Sequence, residues 1–134
     1  MQLINWHFLT NKQNAESSLK WHLVDCEIKG EGGKTFFAQK NVEAPVGWSQ
    51  LAVEIAASKY LRRSHGEKSV RQMVRRVVDA ITGSAIKQKH LSKKEAQIFS
   101  EELKYILLTQ RASFNSPVWF NCGLSESYKI TSDA

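Results

Sequence analysis

The glycine-rich segment at residues 30–33 constrains the fold of this chain most, because it separates two stretches in which apolar and polar residues alternate. Trp21 and Leu23 stand among polar neighbours in the first stretch, and Phe36 and Phe37 resume the pattern after the glycines. Two alternating runs with a short glycine-rich break are typical of a β-hairpin. A phosphate-binding loop is the alternative, but the lysine–serine pair and the following helix of such a loop are missing, so the hairpin is favoured.

Three helices are predicted after the hairpin, because apolar residues recur there at intervals of three and four positions. Their spans are about 48–61, a second helix that starts after Ser69 and closes at Gly83, and a third that starts after Ser92 and reaches about Gln110. Ser49 and Ser69 are the predicted N-caps of the first two, and Ser92 with Glu95 forms a capping-box pattern. The expected fold class is therefore α+β, with an N-terminal β-hairpin followed by a small layer of about three helices.

The two ends of the chain are expected to be loosely ordered. Residues 1–18 contain a short aromatic start and then a polar run, which is typical of a flexible leader. Residues 125–134 are polar and lack a partner strand, which predicts a mobile tail. Between them, a hydrophobic content of 42% is sufficient for a packed core.

Composition also restricts the compartment. No apolar run approaches the roughly 18 residues that a membrane helix requires, and the N-terminus lacks the pattern of a secretory signal. Cys26 and Cys122 lie far apart without a CxxC or Cys/His spacing, which argues against a disulfide framework and a metal site. The sequence therefore predicts a soluble, cytoplasmic chain with no membrane partner.

A basic cluster stands out within the net charge of +6. Its members fall within eighteen residues, with Glu67 the only acid among them: Lys59, Arg62, Arg63, Lys68, Arg71, Arg75 and Arg76. One interpretation is that these residues solvate the outer faces of two helices and their connecting turn. The other is a binding patch for nucleotide phosphates, nucleic acid or an acidic protein surface.

The segment RASFNSPVWFNCGL, residues 111–124, places a short polar turn between aromatic residues. Pro117 fixes its own φ and biases Ser116 away from the helical region, while Trp119 and Phe120 supply apolar anchorage. Asn115 and Ser116 present short polar side chains on this stiff turn. The residues alone leave two interpretations open, a structural turn and a loop that contacts phosphate.

The same residues carry a family resemblance. FNSPVWFN resembles the start of the catalytic barrel in adenosylcobalamin-dependent, class II ribonucleotide reductases. Upstream, WHLVDCEIKGEGGKTFFAQKNVEAP, WSQLAVEIAASKYLRR, EKSVRQMVRRVVDAI and EAQIFSEELKYILLTQRASFNSPVWFN follow one another in the order of that family's N-terminal region. The resemblance covers residues 19–124, which are expected to form the N-terminal domain of such a reductase.

The resemblance implies an incomplete part of a larger barrel enzyme, either a fragment or a split subunit. Its partner would be the remainder of the reductase, in the same chain or in a separate one, and a ribonucleotide would be the substrate of the complete enzyme. Adenosylcobalamin is implied for that complete enzyme and no cofactor for this chain. The family's hydroxyl in this turn contacts substrate phosphate, which implies such a role for Ser116 with Asn115 beside it. The reducing and radical cysteines of the family lie further downstream, so no catalytic residue is assigned here.

Two functions from different classes follow. The first is the N-terminal part of a vitamin B12-dependent ribonucleotide reductase that makes DNA precursors, scaffolding the barrel and inactive by itself. The second is an independent basic helical module that binds nucleic acid or an acidic partner through Arg62, Arg63, Arg71, Arg75 and Arg76. Redox chemistry at Cys122 ranks last, because a small packed thiol explains that residue better.

Overall fold

A computed structural model describes residues 2–129 of the chain. Its first regular elements are two antiparallel strands, β1 (Trp21–Lys29) and β2 (Thr35–Pro45), which pair with Val24 opposite Val42. A short 3-10 turn at Glu31–Gly33 connects the strands, and its two glycines adopt positive φ angles. The predicted hairpin and its glycine-rich turn are therefore confirmed.

The side chains of β1 that face the core are shifted by one position from the alternation that Trp21 and Leu23 indicate. Leu23 is 62% exposed, whereas Val24 and Cys26 are buried against the helices. A one-residue change of register moves every side chain of a strand to the other face. The inward face therefore carries small side chains, and the larger Leu23 lies in solvent.

Within residues 2–129, five α-helices follow the hairpin: α1 (Gln50–Ile55), α2 (Val70–Lys87), α3 (Lys93–Leu108), α4 (Ser116–Asn121) and α5 (Leu124–Tyr128). A π-helical turn over Ala56–Tyr60 continues α1. The side chains of Ser49 and Ser69 accept hydrogen bonds from backbone N–H groups at the starts of α1 and α2, and Ser92 with Glu95 forms the capping box of α3. These caps and the α+β class agree with the sequence.

The prediction that Gly83 ends the second helix is wrong. The helix continues through Gly83 to Lys87, and a Cβ atom at Gly83 would meet nothing within 4 Å. A glycine inside a helix costs about 1 kcal/mol relative to alanine but does not by itself stop it.

The core lies where the hairpin, α1, α2 and α3 meet. Met73 is buried together with Val74 and Val77 of the same helix. Val42 and Ala44 of β2 and Val53 of α1 close the core from the other side. The two long helices thus hold the hairpin and the shorter elements in place.

Residues 2–18 lie against α3. Their polar composition predicts a flexible leader, whereas Leu9 and Ala15 are buried in the core. The carboxylate of Glu102 accepts hydrogen bonds from the backbone N–H groups of His7 and Phe8, and Glu101 accepts one from Ala15 at 2.8 Å. Carboxylates of α3 therefore satisfy backbone groups that have no strand partner. The boundary of the reductase domain at residue 19 stays a prediction.

The predicted tail is partly described. Residues Leu124–Tyr128 form α5, with Leu124 buried, and this contrasts with the mobile segment expected from their polar composition. The remainder of the predicted tail, residues 130–134, lies outside the described residues. Within residues 2–129, none of the helices has both the length and the apolar character required to cross a bilayer.

Candidate functional site

The segment that carries the family resemblance forms a short helix rather than the predicted turn. Ser116 is the first residue of α4, Asn115 is its N-cap, and Pro117 follows in the first turn. Proline is well tolerated there, because its missing N–H group would have no partner in the first turn of a helix. The side chain of Asn115 is exposed and makes no capping hydrogen bond. Ser116 is half-buried, and its Oγ lies 2.9 Å from the hydroxyl of Tyr60, either of which can donate.

Trp119 anchors α4 in the core. It is 5% exposed, and its ring meets those of Phe114 and Tyr60 with centroids 5.6 and 6.4 Å apart. The indole N–H donates to Oγ of Ser113 at 3.3 Å. Phe120, on the next position of the helix, is only partly covered and stacks at a tilt on Tyr60. The aromatic residues of the segment therefore fix α4 against the chain's own helices.

A buried arginine joins this helix to α2. Arg76 is 3% exposed and its Nε donates to the carboxylate of Glu67 at 3.0 Å. The other guanidinium nitrogens donate to backbone carbonyls: Nη1 to Cys122 at 2.8 Å, and Nη2 to Trp119 at 3.1 Å and Tyr60 at 3.2 Å. One planar side chain thus satisfies carbonyl groups at the end of α4 and at the end of the π-helical turn.

Glu67 is equally buried and is satisfied from several directions. Besides Arg76, it accepts the backbone N–H of Arg62 at 2.8 Å and the phenolic O–H of Tyr128 in α5. Burial, and then the bond to Glu67, raise the pKa of Tyr128, so the phenol stays protonated and donates. A buried charge is tolerated only when it is paired and hydrogen-bonded, which this network achieves. We call Arg76, Glu67 and Tyr128 the buried ion-pair network.

Gly123 allows the segment to approach α2 closely. Its φ is +84°, and a Cβ atom there would lie 2.3 Å from the backbone oxygen of Arg76. Both observations exclude a larger residue without movement of the backbone. The close approach places the Cys122 carbonyl next to the guanidinium.

Most arginines of the predicted basic patch make contacts within the chain. Arg71 pairs with Glu43 at 2.9 Å, and Arg75 donates its Nε to Glu16 at 2.7 Å. The remaining guanidinium groups also meet partners of the chain: Arg62 donates to the Phe120 carbonyl at 2.7 Å, Arg63 lies 4.3 Å from the centre of the Phe37 ring, and Arg76 is buried. The expectation that Arg76 lies on a solvated face is wrong, because its guanidinium pairs with Glu67 and donates hydrogen bonds to three backbone carbonyls.

Sequence reasoning missed Glu67, Tyr60 and Tyr128 as parts of this site. One signal was present. Glu67 is the only acid within the basic run, and Arg76 follows Met73 by three positions, which places both on one side of the helix.

Both cysteines have raised thiol pKa values. Burial is the main cause in each case, with the Glu54 carboxylate adding to it at Cys26 and the Glu126 carboxylate at Cys122. A thiol that stays protonated is a poor nucleophile, so neither geometry favours redox chemistry.

We expect iodoacetamide at pH 8 to alkylate the folded chain at least about tenfold more slowly than the chain in urea, because few molecules expose a thiolate. Mass spectrometry over time would give a rate for each cysteine, and free cysteine in the same buffers is the control. Cys26, which is buried, should react more slowly than the half-buried Cys122. Equal rates in the folded and unfolded chains would contradict the packed environment of both thiols.

Comparison with known proteins identifies the family. A family model described as class II vitamin B12-dependent ribonucleotide reductase matches residues 22–66 and 63–110. A vitamin B12-dependent ribonucleotide reductase of Rhodopirellula baltica is 36% identical over 119 residues, which cover 84% of this chain and 11% of that protein. Its counterpart in Streptomyces avermitilis is 41% identical over 104 residues, with 74% and 11% covered. The reductase of Bradyrhizobium diazoefficiens is 28% identical over an alignment of 159 residues including gaps, which covers 90% of this chain and 13% of that protein.

The chain therefore belongs to the class II vitamin B12-dependent ribonucleotide reductase family. It corresponds to the N-terminal region of these enzymes, as the resemblance predicts. It spans between 11% and 13% of the length of the curated relatives named above.

The family name implies a cobalt corrin cofactor for the complete enzyme. Within residues 2–129, no three His, Cys, Asp or Glu side chains form a group that could hold a metal ion. The cavity between α1 and α4 has a volume of about 230 Å³, below the roughly 300–1,000 Å³ of typical small-molecule sites. A corrin macrocycle is too large for this cavity.

Proposed function

We propose that this chain is the N-terminal part of a vitamin B12-dependent reductase that converts ribonucleotides to deoxyribonucleotides for DNA synthesis, and that it scaffolds the catalytic barrel. The observation that carries the proposal is the buried ion-pair network, which fixes α4 to the helical layer. An element with the barrel-start sequence is thereby held rigidly on the N-terminal domain. Adenosylcobalamin and the reactive cysteines belong, in this proposal, to the remainder of the enzyme.

Ser116 and Asn115 are proposed to contact a phosphate group of the substrate. The family-model match ends at residue 110, so this part rests on the resemblance of FNSPVWFN and on geometry. The hydroxyl of Ser116 is held by Tyr60, and the Asn115 amide is exposed beside it. Short polar groups on a braced backbone bind an anionic oxygen with little loss of conformational entropy.

The independent basic module is not favoured. Binding of a polyanion requires arginines that are free to meet phosphates, whereas Arg71 and Arg75 pair with carboxylates and Arg76 is buried. The cytoplasm is the proposed location, because a reductase that depends on free thiols requires a reducing compartment.

Ser116→Ala tests the phosphate contact in a reconstituted reductase that contains this region. We expect kcat/KM for the ribonucleotide to fall by the equivalent of about 1–2 kcal/mol, the scale of one hydrogen bond to a charged group. The free energy of unfolding of the chain should change little, since α4 keeps Pro117 and Trp119.

Tyr60→Phe is the matched control, because it removes the other hydroxyl of the same pair. If the pair is only structural, both variants should lower stability equally and leave kcat/KM unchanged. That result would exclude the phosphate role and leave FNSPVWFN as a packing motif. A selective loss of kcat/KM in Ser116→Ala would support the proposal.

A further inference from the structure

An apolar cavity of about 230 Å³ opens between α1, the end of α3 and the loop that precedes α4. Its deep walls are formed by the buried side chains of Met73, Val74, Leu107 and Trp119. Ala52 and Ile55 of α1 form one side of its mouth. We call this feature the α1 cavity.

The walls of the α1 cavity offer few free polar groups to a ligand. Their indole and phenol groups are already hydrogen-bonded within the chain: Trp48 Nε1 to the Leu108 carbonyl at 2.8 Å, Trp119 Nε1 to Ser113 Oγ at 3.3 Å, and Tyr60 to Ser116. Ligand sites normally combine apolar walls with several convergent polar groups. The chemistry therefore favours an apolar occupant.

The volume favours a side chain over a free molecule. At about 230 Å³ the α1 cavity is smaller than the roughly 300–1,000 Å³ of most small-molecule sites, but it has room for a large aliphatic or aromatic side chain. Leu51, one helical turn before the lining residue Ile55, is 65% exposed, and Ile55 itself is 36% exposed. A pocket with an apolar rim is typical of the central hot spot of a protein interface.

The remainder of a class II reductase is the candidate partner for the α1 cavity. The matched stretch makes up 11% of the reductases from Rhodopirellula baltica and Streptomyces avermitilis, so most of each polypeptide lies outside it. A second copy of this chain is a poorer candidate, because each copy carries a net charge of +6 and the two would repel.

We infer that the α1 cavity receives an apolar side chain from the remainder of the reductase, with Leu51 and Ile55 as the rim of the contact. This inference rests on the proposed function and names the surface that serves it. Because Trp119 and Tyr60 belong both to the cavity wall and to the packing of α4, the docked polypeptide sits against the structure that holds Ser116. The side chains that contact the docked polypeptide are therefore also those that position Ser116.

Purification of the tagged chain from the cells that encode it tests this surface. The amount of class II reductase polypeptide retained is measured by mass spectrometry. Leu51→Lys should reduce that amount at least about tenfold, because it places a charge on an apolar rim. Leu23→Lys is the matched control, since Leu23 is a similarly exposed leucine on β1, and it should change retention by less than about twofold.

Ala52→Phe provides an independent variant that fills the mouth of the cavity from within. We expect the same loss of reductase, with a thermal midpoint that is unchanged or higher. Circular dichroism melts of each variant show whether the fold is retained.

Three outcomes would overturn the inference. Equal retention by the wild type and by Leu51→Lys and Ala52→Phe would exclude this surface while leaving the proposed function standing. Failure of the wild-type chain to retain any reductase polypeptide would remove both. A dimer in sedimentation that Leu51→Lys converts to a monomer would identify a second copy as the occupant.

Discussion

Arg76→Met should lower the free energy of unfolding of the chain by about 3–5 kcal/mol, the cost of removing one partner from a buried ion pair. The substitution keeps most of the side-chain volume but leaves Glu67 without its cation and three backbone carbonyls without donors. Urea denaturation monitored by tryptophan fluorescence gives the measurement, with the m-value checking that the unfolding transition is unchanged.

Arg75→Met is the matched control, because it makes the same substitution at the neighbouring position. Arg75 is about half exposed, and its partner Glu16 keeps a second cation in Arg71, so we expect a loss of only about 1 kcal/mol. The double variant Glu67→Leu with Arg76→Met should recover part of the loss, since no unpaired carboxylate remains buried. A loss for Arg76→Met as small as about 1 kcal/mol, the value expected for Arg75→Met, would show that the network does not stabilise the fold.

Trp119→Ala should also cost about 3–5 kcal/mol, because it opens a cavity between α4 and the two long helices and removes an aromatic anchor. In contrast to Ser116→Ala, its effect on a reconstituted enzyme should follow the fraction of folded protein. Phe36→Ala serves as the control: Phe36 is exposed at the tip of the hairpin, and its loss should change stability by about 0.5 kcal/mol or less. A Trp119→Ala variant as stable as the wild type would mean that α4 does not pack as described.

The sequence predicted the features whose causes are local. The N-caps at Ser49 and Ser69 and the capping box at Ser92 depend on a few consecutive residues, and all three are confirmed. The glycine-rich turn of the hairpin is confirmed for the same reason. The family was predicted correctly because several blocks occur in a fixed order.

Features that depend on distant residues were not predictable in this way. The charge of Arg76 indicated a solvated residue. It is buried because Glu67 pairs with it and because the carbonyls of Trp119 and Cys122, far along the chain, accept its remaining N–H groups. The restricted φ of Pro117 indicated a turn. The first turn of a helix accommodates the same φ, and the packing of Trp119 stabilises the helix at this position. The phosphate role of Ser116 stays a prediction.

The spacing of the buried ion-pair network along the chain has a consequence for the order of folding. Glu67 and Arg76 are separated by nine positions, whereas Arg76 and the Cys122 carbonyl are separated by forty-six. Closing the shorter loop costs less entropy, so the pair can form while the guanidinium still has unused donors. On a ribosome, both charged residues emerge well before Trp119. α4 and α5 would then pack against a guanidinium group that is already paired with Glu67. The buried charge would therefore determine where this later-synthesised segment docks.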